Sequence, residues 1–368
     1  MKKTRIGIVG CGDISGIYLQ NLTKLFTELE IAGVCDLIDE RAEKAFANYD
    51  VPRKYKDMHE MFADPTVDIV LNITRPYEHY DVSMAAIAVG KHVYCEKPLG
   101  ATLEEGAKIR DAAKAKGLYV GGAPDTYLGA GIQTCRKLLD DGYIGTPIAA
   151  TGFWACRGHE SWHPDPEFYY QFGGGPILDK GPYYVTALIN LLGAVKTVSG
   201  FAKKTFPTRR ITSQPHYGTV FDVEVPTHVT GQLEFANGAL GTLIQSYDIH
   251  AHKMPIIEIY GTEGTLSVPD PNTFGGPVQV YRPECKTYME VPLTFGYAEN
   301  SRGLGLADMA KAIQTGRKAR AGVDLTYHAL EVMTGFIQSA ESGKHVSMAS
   351  TCDRPAPMAT GLLPGILD

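Results

Sequence analysis

Three stretches of the 368-residue chain bring together residue types that can do chemistry. In "GIVGCGDISG", residues 7–16, the pattern is Gly10-x-Gly12-x-x-Ser15. The first glycine permits a tight turn after a strand, the second lets backbone approach a pyrophosphate, and a small third residue lets a helix pack close. The N–H groups at the start of that helix, at Asp13 and Ile14, then face phosphate oxygens. Asp36 ends the next apolar run, 24 positions beyond Gly12. A carboxylate there accepts the ribose hydroxyls of an adenosine and repels a 2′-phosphate. Leu37 and Ile38 supply no arginine to reverse the preference, so NAD is favoured over NADP. The second stretch is "GKHVYCEKPLG", residues 90–100, where an apolar run ends abruptly in Glu96-Lys97-Pro98. The carboxyl edge of a parallel sheet is where ligands bind, and a lysine held there can hydrogen-bond a reacting oxygen. The third is "WACRGHESWHPDPEFYYQFGGG", residues 154–175, which crowds Arg157, His159, Trp162 and His163 among aromatic rings and holds both tryptophans of the chain. Aromatic faces with a few polar donors suit a sugar ring, which is apolar on its C–H faces and polar at its rim. The competing reading is a packed loop whose histidines satisfy backbone groups.

The elements needed to position these groups are legible in the first third. Residues 4–10, 31–36, 67–73, 92–96 and 118–123 are short apolar, β-branched runs. Residues 16–29, 40–49, 79–90 and 102–117 carry helical spacing, the last with Thr102 as N-cap and Glu105 at the capping-box position. Strands joined by helices of this length give a parallel sheet covered on both faces. After about residue 125 the pattern changes. One helix leads into long alternating strands, among them a hairpin over 227–249 with Asn237-Gly238 as a two-residue turn. A helical stretch, 304–343, precedes a Pro/Gly-rich tail. The predicted architecture is an α/β Rossmann domain over 1–125 plus an α+β C-terminal domain over 126–368 with a large, open, mainly antiparallel sheet. The C-terminal helix and tail are free to pack back on the Rossmann domain. An open sheet face needs covering, so a homo-oligomer, dimer or tetramer, is expected.

Composition narrows the classes. Hydrophobic residues at 44% and charged residues at 21% describe a globular chain. The net charge of −6 argues against nucleic acid as a partner, and "KKTFPTRR", 203–210, reads as a solvated loop. No apolar run is long enough to span a membrane. Seven cysteines with no CxxC pair suggest reduced thiols, a cytoplasmic location and no metal site.

Gly10-Cys11-Gly12, Asp36, "NITRPYEHYDVSMAAIAVGKHVYCEKP" and "GGGPILDKGPYY" together resemble the glucose–fructose oxidoreductase / inositol dehydrogenase / rhizopine-catabolism (Gfo/Idh/MocA) oxidoreductases. The resemblance covers the first domain and the core of the second. It implies a nicotinamide-dependent oxidoreductase acting on a secondary alcohol of a sugar, glycoside or cyclitol, with Lys97 as acid/base and a cis Lys97–Pro98 bond. It implies cofactor contacts from Thr74, Arg75 and His79, a cofactor-facing or lysine-orienting role for Glu96, and a place near the nicotinamide and substrate for Asp125. The family's second signature, Asp-x-Gly-x-His, reads Asp179-Lys180-Gly181-Pro182-Tyr183 here. Asp179 matches, and Tyr183 stands where the histidine belongs. A phenol, with intrinsic pKa near ~10, is a poor base at neutral pH but a good hydrogen-bond donor. Either Lys97 is the main acid/base with Tyr183 orienting substrate, or the two work as a pair, or a nearby histidine replaces the missing one. Lys180, about 100° round an ideal helix from Asp179, is expected to face solvent. Two rival functions fit the same residues: a redox-neutral, NAD-dependent enzyme that cleaves glycosides, and a non-catalytic sugar or nucleotide sensor.

Overall fold

The computed structural model describes residues 3–368. Five strands, β1 (Thr4–Val9), β2 (Leu29–Cys35), β3 (Ile69–Asn72), β4 (His92–Cys95) and β5 (Val120–Gly122), form a parallel sheet in the order β2-β1-β3-β4-β5. Ile69, Val70 and Leu71 are wholly buried, as a central strand covered on both faces requires. Helices Ser15–Lys24, Asp39–Asn48, His79–Ala88 and Leu103–Ala115 provide the cover. The last begins with the predicted capping box, the N–H of Glu105 donating to Thr102 Oγ1 at 3.1 Å and that of Thr102 to Glu105 Oε2 at 3.3 Å. The strand order reverses between β1 and β3, so the crevice beyond Val9 and Asn72 is the ligand-binding switch point of this sheet. The glycine loop, Thr74-Arg75, Glu96-Lys97 and Asp125 all follow strands at that edge.

The second sheet has nine strands: β6 (Pro147–Ala155), β7 (Val195–Lys203), β10 (His228–Phe235), β11 (Leu240–Ser246), β12 (Ile257–Gly261), β13 (Thr265–Val268), β14 (Val278–Tyr281), β15 (Tyr288–Val291) and β16 (Val346–Ser347). Their order is β15-β14-β13-β12-β6-β11-β10-β7-β16, antiparallel throughout except for the parallel pair β6–β11. Val229 and Leu233 alternate with half-exposed residues along β10, which places one face against the helices Gly181–Leu192 and Val323–Ser342. A separate ribbon, β8 (Thr208–Arg210) with β9 (Val220–Asp222), interrupts the run between β7 and β10.

The C-terminal segments return to the first domain. The N–H of Gly122 donates to Ala321 O at 3.0 Å, and Asn21 Nδ2 donates to Asn300 O at 2.9 Å. Among the described residues no helix is long and apolar enough to cross a membrane.

Two local expectations are corrected. The first helix ends at Lys24 rather than 29, because Leu29 is already paired with Thr4 in the sheet. The Asn237-Gly238 turn is not a two-residue hairpin: four residues separate β10 from β11, and only Gly238 takes a positive φ, +89°. Gly10 is a position in the nucleotide loop where the fold demands glycine. Its φ is +100°, and a Cβ there would lie 2.7 Å from Ile73 O. Gly10→Ala is therefore expected to lower stability by roughly 1–3 kcal/mol in urea denaturation. An unchanged midpoint would contradict this account of the loop.

Candidate functional site

The glycine loop is held from below and open above. Ser15 Oγ donates to Gly12 O at 2.6 Å, and the Cys11 N–H donates to Asp36 Oδ2 at 2.6 Å. The Ile38 N–H donates to Asp36 Oδ1 at 2.8 Å, which fixes the carboxylate at the end of β2. A Cβ on Gly12 would meet nothing within 4 Å, so this backbone is bare where a pyrophosphate would approach. Asp13 and Ile14 are exposed beside it, and so are Leu37 and Ile38. A bare glycine, a helix N-terminus and an anchored carboxylate together fit a dinucleotide.

The next two turns are tied to each other rather than left free. His79 is buried, with Nδ1 2.7 Å from Pro98 O and Nε2 3.1 Å from Thr74 O. Burial pulls its pKa down, against the pull of the two carbonyls, so the ring is neutral and donates to one of them. His79 thus straps the Thr74 turn to the Lys97–Pro98 turn, whose peptide bond is cis, and presents no free nitrogen to a cofactor. Glu96 is likewise engaged, accepting from Tyr18 Oη at 2.8 Å and from the Lys97 N–H at 3.0 Å. Arg75 is exposed, donates to Tyr77 Oη at 3.1 Å and stands 5.7 Å from the ring of Phe168 in the second domain.

Lys97 and Asp179 form an ion pair between the two domains. Lys97 Nζ donates to Asp179 Oδ1 at 2.7 Å and to its backbone oxygen at 3.1 Å. Asp179 closes the short helix Pro176–Asp179, and Tyr183 lies in the first turn of the following helix, its ring centroid 5.5 Å from Lys97 Nζ. The other carboxylate oxygen, Oδ2, accepts from Tyr247 Oη at 3.0 Å and lies 3.5 Å from His159 Nε2 and 3.4 Å from Lys180 Nζ. Burial pulls the Lys97 ammonium down, but Asp179, Tyr183 and Glu96 outweigh it and hold its pKa above that of an ordinary lysine. Burial pushes the Asp179 carboxyl up, yet Lys97, Lys180 and His159 hold it well below the usual carboxylate range. Both partners are charged at neutral pH.

The aromatic segment forms the wall of this centre. His159 is 3% exposed, and neither ring nitrogen has a hydrogen-bond partner. Its ring sits 4.1 Å from that of Tyr169, 4.8 Å from Tyr247 and 5.3 Å from the exposed Trp162. His163 accepts from the Asp165 N–H at 3.0 Å through Nδ1 and points Nε2 at Asp13, 3.7 Å away, so the second domain reaches over the glycine loop.

Several expected residues stand elsewhere. Asp125 is buried and does not face the cleft: its Oδ2 accepts the N–H groups of Gly303 at 2.9 Å and Gly305 at 3.0 Å at the start of the helix Leu304–Thr315. Burial pushes its carboxyl up to about 6 despite those donors. Arg157 turns outward, with Nε 3.0 Å from His250 Nε2 and its guanidinium 5.0 Å from the Phe206 ring. Lys180 does not face solvent. It falls at the break between two helices, φ −101°, where the ideal 100° rotation no longer applies, and it stands 5.5 Å from the Trp154 ring. In the basic run 203–210, Lys203, Lys204 and Arg210 are exposed, as a solvated segment requires, but Arg209 in β8 is buried. Two contributors went unread: Tyr247 and Arg302, which lies beside Tyr183. Tyr247 is 68 positions from Asp179, and no local spacing joins them. The alternation Leu243, Gln245, Tyr247, all buried, was the one available signal that it faces inward.

Comparison with known proteins gives the family and the fold. A family profile described as the Gfo/Idh/MocA oxidoreductase family, NAD-binding Rossmann fold, matches residues 4–122, and the Gfo/Idh/MocA C-terminal domain profile matches 132–267. Among curated relatives, an inositol 2-dehydrogenase/D-chiro-inositol 3-dehydrogenase of Lactiplantibacillus plantarum is 34% identical over 148 residues, 39% of this chain and 42% of that protein. A myo-inositol 2-dehydrogenase of Thermotoga maritima is 25% identical over 264 residues, 71% of this chain and 74% of the relative. The match to the first of these spans less than half of the relative's length. Among solved structures, the apo form of a levoglucosan dehydrogenase superposes with a TM-score of 0.82 over 96% of this chain and 100% of its own, at 21% identity, a likeness of fold.

The buried pair predicts a strong coupling. Asp179→Asn leaves Lys97 unpaired, at a cost of about 3–5 kcal/mol for a buried partner, and Lys97→Met costs less because Lys180 Nζ still stands 3.4 Å from Asp179. The double variant is expected to cost clearly less than the sum, as read by a denaturation double-mutant cycle. Additive costs would mean that the pair is not formed in solution.

Proposed function

The chain belongs to the Gfo/Idh/MocA oxidoreductases, and from that premise we propose that it is an NAD-dependent dehydrogenase of a secondary alcohol on a sugar, glycoside or cyclitol. The observation that carries the reading is the 2.7 Å contact between Lys97 and Asp179, which closes the substrate domain over the switch-point crevice beside the open glycine loop. Gly10, Gly12, Asp13, Ile14 and Asp36 hold the dinucleotide, with Thr74, Arg75 and Glu96-Lys97 lining the route to the nicotinamide. When bound, the nicotinamide supplies the hydride acceptor.

The protein's own part is to place a carbinol and remove its proton. Lys97 Nζ hydrogen-bonds the carbinol oxygen, and Tyr183 donates from the adjacent helix. Because Asp179 keeps Lys97 charged, the ammonium takes up the hydroxyl proton only as it hands one on toward Asp179. That proton lands on Asp179 Oδ1, is carried to Oδ2 as the carboxyl turns, and passes to the lone pair of His159 Nε2, 3.5 Å away, in the Nδ1–H tautomer of that ring, so the net acceptor is His159. A histidine from another loop thus takes the place left by Tyr183. Trp162, Tyr169 and His163 flank the sugar, stacking on its C–H faces.

All seven cysteines are free, which suits a reducing cytoplasm. The outer face of the nine-stranded sheet carries Phe201, 78% exposed, and is the surface on which copies of the chain would associate as a dimer or tetramer.

The test is the purified protein with NAD and a panel of sugars, cyclitols and glycosides, following NADH absorbance and sugar products together. NADH rising with a keto-sugar is expected. Aglycone release without net NADH would replace this reading with redox-neutral glycoside cleavage, and bound NAD with no reaction would favour a sensor. On the substrate so found, Lys97→Met is expected to lose roughly 10²–10⁴-fold in kcat, the range of an acid/base group, while NAD still quenches the tryptophan fluorescence. Between pH 5 and 9 neither Lys97, held above its ordinary value, nor Asp179, held below its own, changes charge. Neither is therefore expected to place a limb in the kcat/KM profile over that range. His159→Asn is expected to lower kcat by roughly 10²–10⁴-fold while NAD still binds, and an unchanged kcat would remove His159 from the acid/base role.

A further inference from the structure

The run between β7 and β10 makes contacts that a connecting loop has no need of. It leaves the sheet after Lys203, forms the β8–β9 ribbon, and returns at His228. Along the way it grips residues 157–172, the substrate-facing segment. The N–H groups of Thr212 and Ser213 donate to Glu160 O at 2.8 and 2.9 Å, and Ser213 Oγ donates to His163 O. The Glu224 N–H donates to Tyr170 O at 2.9 Å, and Glu224 Oε2 accepts from the Phe172 N–H at 3.1 Å.

Arg209 is the hub of this grip. Its side chain is 4% exposed and lies between two buried carboxylates, those of Glu160 and Asp248. NH1 donates to Glu160 Oε1 at 3.0 Å and to Arg157 O at 3.3 Å. NH2 donates to Tyr247 O at 3.2 Å and to Asp248 Oδ1. The carboxylates are satisfied from their far sides as well, Glu160 by Tyr170 Oη at 2.8 Å and Asp248 by Thr227 Oγ1 at 2.7 Å. Glu160 directly follows His159, and Asp248 directly follows Tyr247. His159 and Tyr247 are the two aromatic residues that face Asp179 Oδ2, and their rings pack at 4.8 Å. One guanidinium therefore ties together the backbones that carry both of them, although it touches neither the ion pair nor the cleft. A single cation between two buried carboxylates is a weak device for stability alone, because desolvation consumes most of the attraction. A planar fork that fixes two chain segments at one spacing is a good device for geometry.

We propose that Arg209 is a positioning residue: by clamping Glu160 and Asp248 it sets the distances of His159 and Tyr247 to Asp179, and so the acid/base geometry of the centre. The role rests on the dehydrogenase reading above for its kinetic consequence, but not for its structural one. Trp154 and Trp162 are the only tryptophans of the chain, and their rings lie 6.4 and 5.3 Å from that of His159, so their emission reports the segment's position without any turnover.

The experiment compares the full-length protein with Arg209→Ala and Arg209→Lys. Each is measured by tryptophan emission, NAD binding, kcat and KM, with and without added guanidinium ion. Arg209→Lys keeps a charge between the carboxylates, and so the fold, but not the fork. It is expected to keep NAD binding, shift the emission and lose about tenfold in kcat, while Arg209→Ala loses about 100-fold, the scale of an ångström-sized misplacement. Guanidinium is expected to restore both emission and kcat in Arg209→Ala. Native emission and full kcat in the folded Arg209→Lys and Arg209→Ala proteins would overturn the proposal. So would a loss of kcat that only tracks the unfolded fraction, with no rescue. If the wild type produces NADH with no polyol, the dehydrogenase reading fails by itself, and Arg209 is judged on emission and its rescue alone.

Discussion

The contact on which the rest depends is the buried pair of Lys97 and Asp179. One partner sits on a turn after the fourth strand of a parallel sheet, the other at the end of a four-residue helix in the next domain. Neither charge is tolerable alone at that depth, so the two domains are bound to close in the one arrangement that brings them together. That arrangement sets everything around it. It lays the aromatic segment over the glycine loop, brings His163 to Asp13, and makes Asp179 a junction whose second oxygen serves Tyr247, His159 and Lys180.

In the dehydrogenase proposed above, the pair also decides how protons move. A lysine kept charged by its own carboxylate is a good hydrogen-bond donor and a poor resting base. The acceptor has to be found further along, and the unpaired imidazole of His159 is the group that the packing leaves unsatisfied. A buried histidine with no partner costs stability, and such costs collect where function needs them. On that reading, the loss of the family histidine at Tyr183 is offset by a residue from a different loop, reached through space rather than along one helix face.

The nucleotide half of the molecule was legible in the sequence because its logic is local. Strand, glycine turn, helix and terminal carboxylate lie within some thirty residues, and the periodicities of parallel strands and covering helices are short-range signals. The capping box at Thr102 and the cis Lys97–Pro98 bond stand where they were expected. The substrate half was only partly legible. Asp179 and the aromatic segment could be picked out, but their partners could not: Tyr247 lies 68 residues from Asp179, and Arg209 lies 49 from Glu160. Asp125 and Lys180 were misplaced for related reasons. A buried carboxylate that caps a distant helix looks, in one dimension, like a cleft residue, and a break between two short helices cancels an argument made for a continuous one.

The most direct test of the central claim is a crystal structure of the protein with NAD and the polyol it oxidises. The account predicts the carbinol oxygen within about 3 Å of Lys97 Nζ, a hydrogen-bond distance, with Asp179 still bridging Lys97 and the His159 side. A sugar seated away from Lys97, or a Lys97–Asp179 pair pulled apart in the complex, would contradict it.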